Sequence, residues 1–412
     1  MFVLSDYLKR VLAIDPAADV LEFDGRWLTW GALDAQVTAI RELLTGLGLG
    51  ADSRVGIMVR NRPDAIAAIL AALTLDACFV SINPLLPEAR LNADLATLKL
   101  PVIIGEADDF ARPGVVPLLR EEGTAGIVMT PFLGGAAIHP ELAAITGQDL
   151  RRDSPGTFVE MLTSGTTGTP KRIPLMAANF SRSILDAAAF EKRDPGEGPR
   201  LSNAVTILNT PFAHIGGHFG LFNTLSAGRK GCMLDRFRVD EFVDAVQRHK
   251  PKVAGAPPAA LRMILDAGVP KEALASLTAF RTSTAPLDPA LADQFYEHFG
   301  IPVLQNYGAT EFGGVAGWTL GDFRKSGKKR RGSVGKMLPN VEGRVVDQDT
   351  GEPLPYGEVG LLELRAKHLG DGVNWLRTTD LARMDEEQFL WIVGRADNAI
   401  NRGGLKIAPD DV

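Results

Sequence analysis

Apolar residues along this chain alternate between helical spacing and short unbroken runs. Leu33 to Leu47 carries its apolar positions at helical spacing and reads as an amphipathic helix. Arg54-Val55-Gly56-Ile57-Met58-Val59 then reads as a buried strand. The run from Ala65 to Leu75, broken only by Thr74, reads as a buried helix that starts at Pro63-Asp64, since a proline and an acid suit a first turn. A strand at Ala77-Cys78-Phe79-Val80-Ser81-Ile82 is closed by Asn83-Pro84, and Pro101-Val102-Ile103-Ile104-Gly105 is another. Strand–helix–strand alternation of this kind predicts βαβ units and largely parallel sheets covered by helices.

A second round runs from about 156 to 320. Phe158-Val159-Glu160-Met161-Leu162 leads into a loop rich in glycine and hydroxyls, and Ala204-Val205-Thr206-Ile207-Leu208 leads into a His/Gly segment. Pro251-Lys252-Val253-Ala254-Gly255-Ala256 follows a helix, and Pro302-Val303-Leu304-Gln305-Asn306-Tyr307 leads into a further glycine-containing loop. Ligands of open parallel sheets bind beyond the carboxyl ends of the strands, so these loops point to one shared site. From about 332 the strands shorten: Gly343-Arg344-Val345-Val346-Asp347, Gly360-Leu361-Leu362-Glu363-Leu364 and Phe389-Leu390-Trp391-Ile392-Val393, with Asp349-Thr350-Gly351 as a turn between the first two. The expected architecture is α/β, with two stacked, mostly parallel αβα-type subdomains and a small β-barrel-like one. The pattern places the first at 1–155, the second at 156–330, the β-rich one at 331–393 and a hinge at 394–412.

Composition narrows this little but excludes some classes. A length of 412 residues is too much for one ordinary core. A net charge of −6 argues against a nucleic-acid binder, which needs a basic face. Two cysteines, Cys78 and Cys232, make no disulfide framework and no cysteine-based metal site, which fits a cytoplasmic location. The start, Met1-Phe2-Val3-Leu4-Ser5-Asp6, lacks the pattern of a secretory signal, and the longest apolar run is too short to span a bilayer.

The chemistry concentrates in Thr163-Ser164-Gly165-Thr166-Thr167-Gly168-Thr169-Pro170-Lys171. Hydroxyls, glycine-permitted bends and a terminal ammonium can wrap a polyphosphate. The spacing is not that of a Walker A loop, and alone the segment also reads as a polar surface loop. Asn306-Tyr307-Gly308-Ala309-Thr310-Glu311 places an aromatic face for a base, a hydroxyl for a phosphate oxygen and a carboxylate for Mg2+ close together. Arg377-Thr378-Thr379-Asp380 supplies an acid for ribose hydroxyls, and Gly394-Arg395-Ala396-Asp397 a guanidinium beside it. Thr284-Ala285-Pro286 is a small-residue bend against which a flat base can lie. The basic run Arg324-Lys325-Ser326-Gly327-Lys328-Lys329-Arg330-Arg331 reads as a solvated mobile loop or, alternatively, as a phosphate-contacting one.

In this order the segments resemble the adenylate-forming superfamily, which includes acyl-CoA synthetases, nonribosomal-peptide adenylation domains and firefly-type luciferases. The resemblance covers nearly the whole chain. Leu28-Thr29-Trp30-Gly31-Ala32-Leu33 is similar to the early L-T-Y-x-E-L segment, and Asp76 to Pro84 to the family's A-G-A…(N/D)-P segment. Thr163–Lys171 resembles the signature phosphate loop, Tyr307–Glu311 the Y-G-x-T-E segment, and Gly332-Ser333-Val334-Gly335-Lys336 the G-x-x-G-(K/R) element. The resemblance implies that Thr163, Ser164, Gly165, Thr166, Thr167, Gly168 and Lys171 embrace the β,γ-phosphates of ATP. Thr310 would meet the α-phosphate, and Glu311 with Thr166 the metal. Thr284, Ala285, Pro286, Asn306, Tyr307 and Gly308 would line the adenine, and Asp380 with Arg395 the ribose. His214, in Pro211-Phe212-Ala213-His214-Ile215-Gly216-Gly217, falls at the family's gate to the acyl pocket, where Gly216, Gly217 and Gly220 leave room and Phe219 and Phe222 offer apolar walls.

The implied partners are a small-molecule carboxylic acid, ATP and coenzyme A. The acid becomes an acyl-adenylate and is then captured as a thioester. A carrier protein in place of coenzyme A, and a non-catalytic nucleotide-binding domain, are the alternatives. Three departures from the family pattern stand out. Thr379 replaces the glycine usual before the ribose aspartate, where a positive φ would strain a β-branched residue. Asn398 and Asn401 stand where an acid and a lysine are common, and the Leu364–Asp380 span is short. The chain ends at Val412, at the start of the family's mobile C-terminal domain and its lysine, so the expectation is a large N-terminal domain that adenylates weakly.

Overall fold

The computed structural model describes residues 2–147, 150, 153–163, 171–191, 193–396, 400–402 and 405–407. They form two compact units: Met1–Leu162 with Arg172–Arg236, and Thr163–Lys171 with Phe237–Val412.

The first unit is built on a seven-stranded sheet. Its order is Ala136–Ile138, Ala125–Met129, Val102–Glu106, Arg54–Met58, Cys78–Ile82, Thr157–Thr163 and Lys171–Met176. The strands from Ala125–Met129 to Thr157–Thr163 pair in parallel. Helices cover them, which is why they are continuous apolar runs and not alternating ones. Pro63–Thr74 is buried at every position, Asp64 and Thr74 included, as its apolar run Ala65–Leu73 leads one to expect. Arg62 caps it in extended conformation and Pro63 fills the first turn. The helix expected from Leu33 spans Trp30–Gly46, opened by the Thr29 side chain accepting from the Ala32 amide.

A second sheet of this unit orders Val205–Leu208, Lys230–Met233, Asp19–Phe23 and Arg26–Thr29. Its hairpin at Asp24-Gly25, with both residues at positive φ, was not anticipated, although an Asp-Gly pair between strand-like runs is the signal for it. The core between elements is aromatic: Phe158 stacks on Phe180 at 4.4 Å and meets Phe79 and Phe222 edge-on.

The second unit holds a nine-stranded sheet. Val253–Gly255, Ala279–Thr282 and Val303–Ala309 are parallel. Antiparallel pairing continues through Gly313–Gly317, Gly335–Met337, Phe389–Arg395, Leu376–Met384, Gly360–Arg365 and Glu342–Val346. Strands before and after residue 155 pair within one sheet, as do strands before and after residue 330. Thr157–Thr163 joins the first unit's sheet beside Cys78–Ile82, and the short strands after 332 extend the second unit's sheet. The α/β class itself holds.

The basic run is only in part the solvated loop expected. Its first part is the end of the helix Leu320–Ser326, and further helical-turn hydrogen bonds carry the backbone on to Arg330. Arg330 pairs with Asp385 at 2.7 Å and with Glu387, its guanidinium stacked 4.1 Å from the Phe389 ring centre. Arg331 pairs with Asp293 at 2.6 Å. Arg324, Lys325, Lys328 and Lys329 are the exposed remainder.

Candidate active site

In the second unit, Ala279–Thr282 and Val303–Ala309 run side by side in parallel, and the expected nucleotide residues leave their carboxyl ends. Thr284, at the bend Thr284-Ala285-Pro286, has φ +73°, a left-handed conformation that a β-branched residue adopts only when its surroundings enforce it. Beyond Ala309 a tight turn carries Thr310 and Glu311, and Gly313 at φ +68° brings the chain back as the next strand. Gly308 is obligatory there. A Cβ on it would lie 2.2 Å from the Gly313 carbonyl oxygen. Asn306 pairs with Gly317 in register, and its buried Oδ1 has no hydrogen-bond partner. That acceptor is available to an amino group, as an adenine edge supplies.

Three sequence-predicted residues converge. The Tyr307 hydroxyl donates to the Asp380 carboxylate, and Asp380 stands opposite Arg395 in the Leu376–Met384/Phe389–Arg395 ladder. Arg395 Nη1 lies 3.9 Å from Asp380 Oδ1, a long ion pair. Burial, and then the negative charge of Asp380, pushes the Tyr307 hydroxyl well above its ordinary pKa, so it stays a donor at any working pH. Thr379 does not need the positive φ that its place in the family suggested. It lies within the extended strand Leu376–Met384, where β-branched residues are at home, and its Oγ1 accepts from Arg395 Nη2. Asp380 and Arg395 are aligned by a hairpin of consecutive strands, whereas Tyr307 reaches Asp380 from 73 residues away, a contact that no local sequence signal gives.

The first unit carries His214. It precedes the helix Ile215–Ser226 as its cap residue, with its ring exposed and no side-chain capping bond. Desolvation by the surrounding protein lowers its pKa, which favours the neutral ring near pH 7. Two expectations about its surroundings are corrected. A Cβ on Gly217 would lie 2.4 Å from the Pro211 carbonyl oxygen, so this glycine serves a close backbone approach and leaves no room for substrate. Phe222 is fully buried against Phe158 and Phe180, which makes it core. Gly220 does leave space, with Leu208 Cδ2 the nearest atom at 3.9 Å, and Phe219 packs half-exposed on Phe180. Sequence reading missed His218, one turn along, which is fully buried with neither ring nitrogen hydrogen-bonded.

Of the phosphate-loop residues, Thr163 ends the strand Thr157–Thr163 and Lys171 opens Lys171–Met176. Ser164, Gly165, Thr166, Thr167, Gly168, Thr169 and Pro170 lie outside the described residues, as do Asp397 and Asn398.

A strand-end bend, a turn bearing hydroxyl and carboxylate, and a Tyr–Asp–Arg group sit in an α/β protein, in one unit. Comparison with known proteins gives the narrower statement. Residues 8–373 match the model of the AMP-binding enzyme family, and the chain belongs to that family. It is 26% identical to 4-coumarate--CoA ligase 5 of Oryza sativa subsp. japonica, over 99% of this chain and 77% of that protein. Indoleacetate--CoA ligase of Aromatoleum aromaticum is 28% identical over 99% of this chain and 81% of its own length. The ATP-bound crystal structure of MatB from Rhodopseudomonas palustris superposes with a TM-score of 0.79 over 99% of this chain and 82% of that one, at 22% identity, which is a likeness of fold. With family and relatives in place, the acid-activating ligase class expected from the motifs stands.

Proposed function

We propose that the chain activates a carboxylic acid with ATP and passes the acyl group to coenzyme A. The observation that carries this is the convergence of Tyr307, Asp380 and Arg395 in the unit whose adjacent strand ends present Thr284–Pro286 and Thr310–Glu311. A carboxylate oxygen of the acid attacks the α-phosphorus of ATP, a P–O bond forms, the bond to the β-phosphate oxygen breaks, and pyrophosphate leaves. The thiol of coenzyme A then attacks the acyl carbon and AMP departs. Neither step requires a side-chain nucleophile, so the protein's part is positioning and charge stabilisation.

Asp380, held by the Tyr307 hydroxyl, fits ribose hydroxyls, with Arg395 beside it. The unpartnered Asn306 Oδ1 fits the adenine amino group, and Thr310 an α-phosphate oxygen. A Mg2+ ion fits the exposed Glu311 carboxylate, a hard oxygen donor, and would supply neutralisation of phosphate charge. From the motif, Ser164, Thr166, Thr167 and Lys171 take the β,γ-phosphates, and His214 gates the acid. The acid is apolar. Space at Gly220 and the half-exposed Phe219 support an aryl or long acyl group, and the names of the two ligases favour the aryl class. Two buried cysteines outside any disulfide suit a cytoplasmic setting.

The test is acid-dependent ATP–pyrophosphate exchange with a panel of aryl-propenoic, arylacetic, medium and long straight-chain acids, followed by thioester formation with coenzyme A. Exchange with one acid class supports adenylation and names the class. Tight nucleotide binding without exchange for any acid would sink the enzymatic reading.

A further inference from the structure

Three strand ends of the first unit meet at a single side chain. Arg54–Met58 of the larger sheet ends just before Asn61, while Val205–Leu208 and Lys230–Met233 of the smaller sheet end just before Thr210 and Leu234. Asn61 is 4% exposed. Its Nδ2 donates to the Thr210 carbonyl at 3.0 Å and to the Leu234 carbonyl at 3.3 Å, and its Oδ1 accepts from the Phe212 amide at 2.9 Å. Two carbonyls and one N–H allow only one orientation of the carboxamide, because the flipped group would set oxygen against oxygen.

The path onward from Thr210 has little slack. Phe212 is 1% exposed and stacks on the buried His218. The His214 amide donates to the Pro211 carbonyl at 3.0 Å, and the bare Cα of Gly217 lies beneath that same carbonyl. The corner is tied a second time by Arg62, which pairs with Glu106 and reaches Asp235 at 3.7 Å.

We infer that Asn61 is a positioning residue for the segment 210–217. It fixes where His214 and the first turn of Ile215–Ser226 stand, and through them the acid site. The inference rests on the adenylating reading for its functional part and on hydrogen-bond geometry for its structural part. Of the ordinary side chains of this reach, a carboxamide alone offers two N–H donors and an acceptor together. An aspartate keeps the acceptor and sets an anion against two carbonyls. An alanine leaves the Phe212 N–H and both carbonyls without Asn61.

The test uses the full chain and the variants Asn61→Ala and Asn61→Asp, with hydrogen–deuterium exchange and steady-state kinetics read on the same preparations. Loss of the clamp should raise exchange in peptides covering 209–217 by about tenfold, leaving the strands 54–58 and 78–82 protected. KM for the acid should rise about tenfold with KM for ATP within about twofold, one hydrogen-bond network's worth of positioning. Unchanged exchange over 209–217, or acid and ATP constants rising together in step with a lowered Tm, would overturn the inference. Should Asn61→Ala not fold, Asn61→Asp carries the same comparison. A wild-type chain that supports no acid-dependent turnover defeats the adenylating reading, and the deuterium result then decides the clamp alone.

Discussion

His218 shows how little one residue letter reveals about cost. Its ring lies between Phe79, edge-on at 5.1 Å, and Phe212, with both nitrogens unsatisfied. Such a group pays its desolvation without return, about 1–3 kcal/mol. His218→Leu should therefore raise stability by about 1–2 kcal/mol, read as a higher urea midpoint at unchanged slope. Burial, with the nearby His214 charge adding to it, lowers the His218 pKa to about 3. The unfolded chain then binds the extra proton first. The contribution is fully present above the ordinary value near 6.5 and is lost as pH falls from there toward 3, with a limiting slope of about 1.4 kcal/mol per pH unit. In His218→Leu that part of the acid sensitivity should vanish; an identical pH–stability curve for both proteins would refute the assignment. At the residues proposed to hold the nucleotide the sequence is more candid. Tyr307, Asp380 and Arg395 are legible as motif letters, yet the contact of Tyr307 with Asp380 joins segments 73 residues apart. Tyr307→Phe keeps the ring and removes the donor to Asp380. It should weaken ATP binding about three- to tenfold with little change in acid affinity, measured by calorimetry with each ligand.

At the scale of elements, turns that bend left carry the burden. Gly308→Ala sets a methyl against the Gly313 carbonyl and must open the hairpin that holds Thr310 and Glu311. Pyrophosphate exchange should fall by about a hundredfold or more while circular dichroism stays native. In the first unit Phe132 and Leu133, at φ +61° and +56°, are held by the Asp64 carboxylate, which accepts from both amides. Asp64→Ala removes that grip from two conformations costly for non-glycine residues, and a loss of about 2–3 kcal/mol in urea unfolding is expected. The helices and buried strands were legible because their apolar periods are intact over many residues. One residue of the basic segment was misread because its composition says solvent, whereas Arg330 answers to Asp385, Glu387 and Phe389, all far along the chain. Asp24-Gly25 was legible in principle and overlooked between two strands of mixed polarity.

For the molecule as a whole, class and chemistry could be read from motifs while the grouping of strands could not. Parallel pairing leaves the sequence near a strand silent about which neighbour it takes, so Thr157–Thr163 gave no sign of joining Cys78–Ile82. Likewise the late short strands resemble a separate piece by pattern, and only their hydrogen bonds attach them to Val303–Ala309 by way of Gly313–Gly317 and Gly335–Met337. Both thiols are buried in the first unit. Burial, and then the Glu160 charge, pushes Cys78 up to about 12, so its thiolate is scarce at any pH the fold tolerates. Ellman's reagent should find no reactive sulfur in the native chain and two after denaturation. For a spectroscopist this makes the wild-type chain a blank slate: a cysteine placed at Leu85, 76% exposed, or Val373, 71% exposed, would take a maleimide dye alone, with no native residue to remove first.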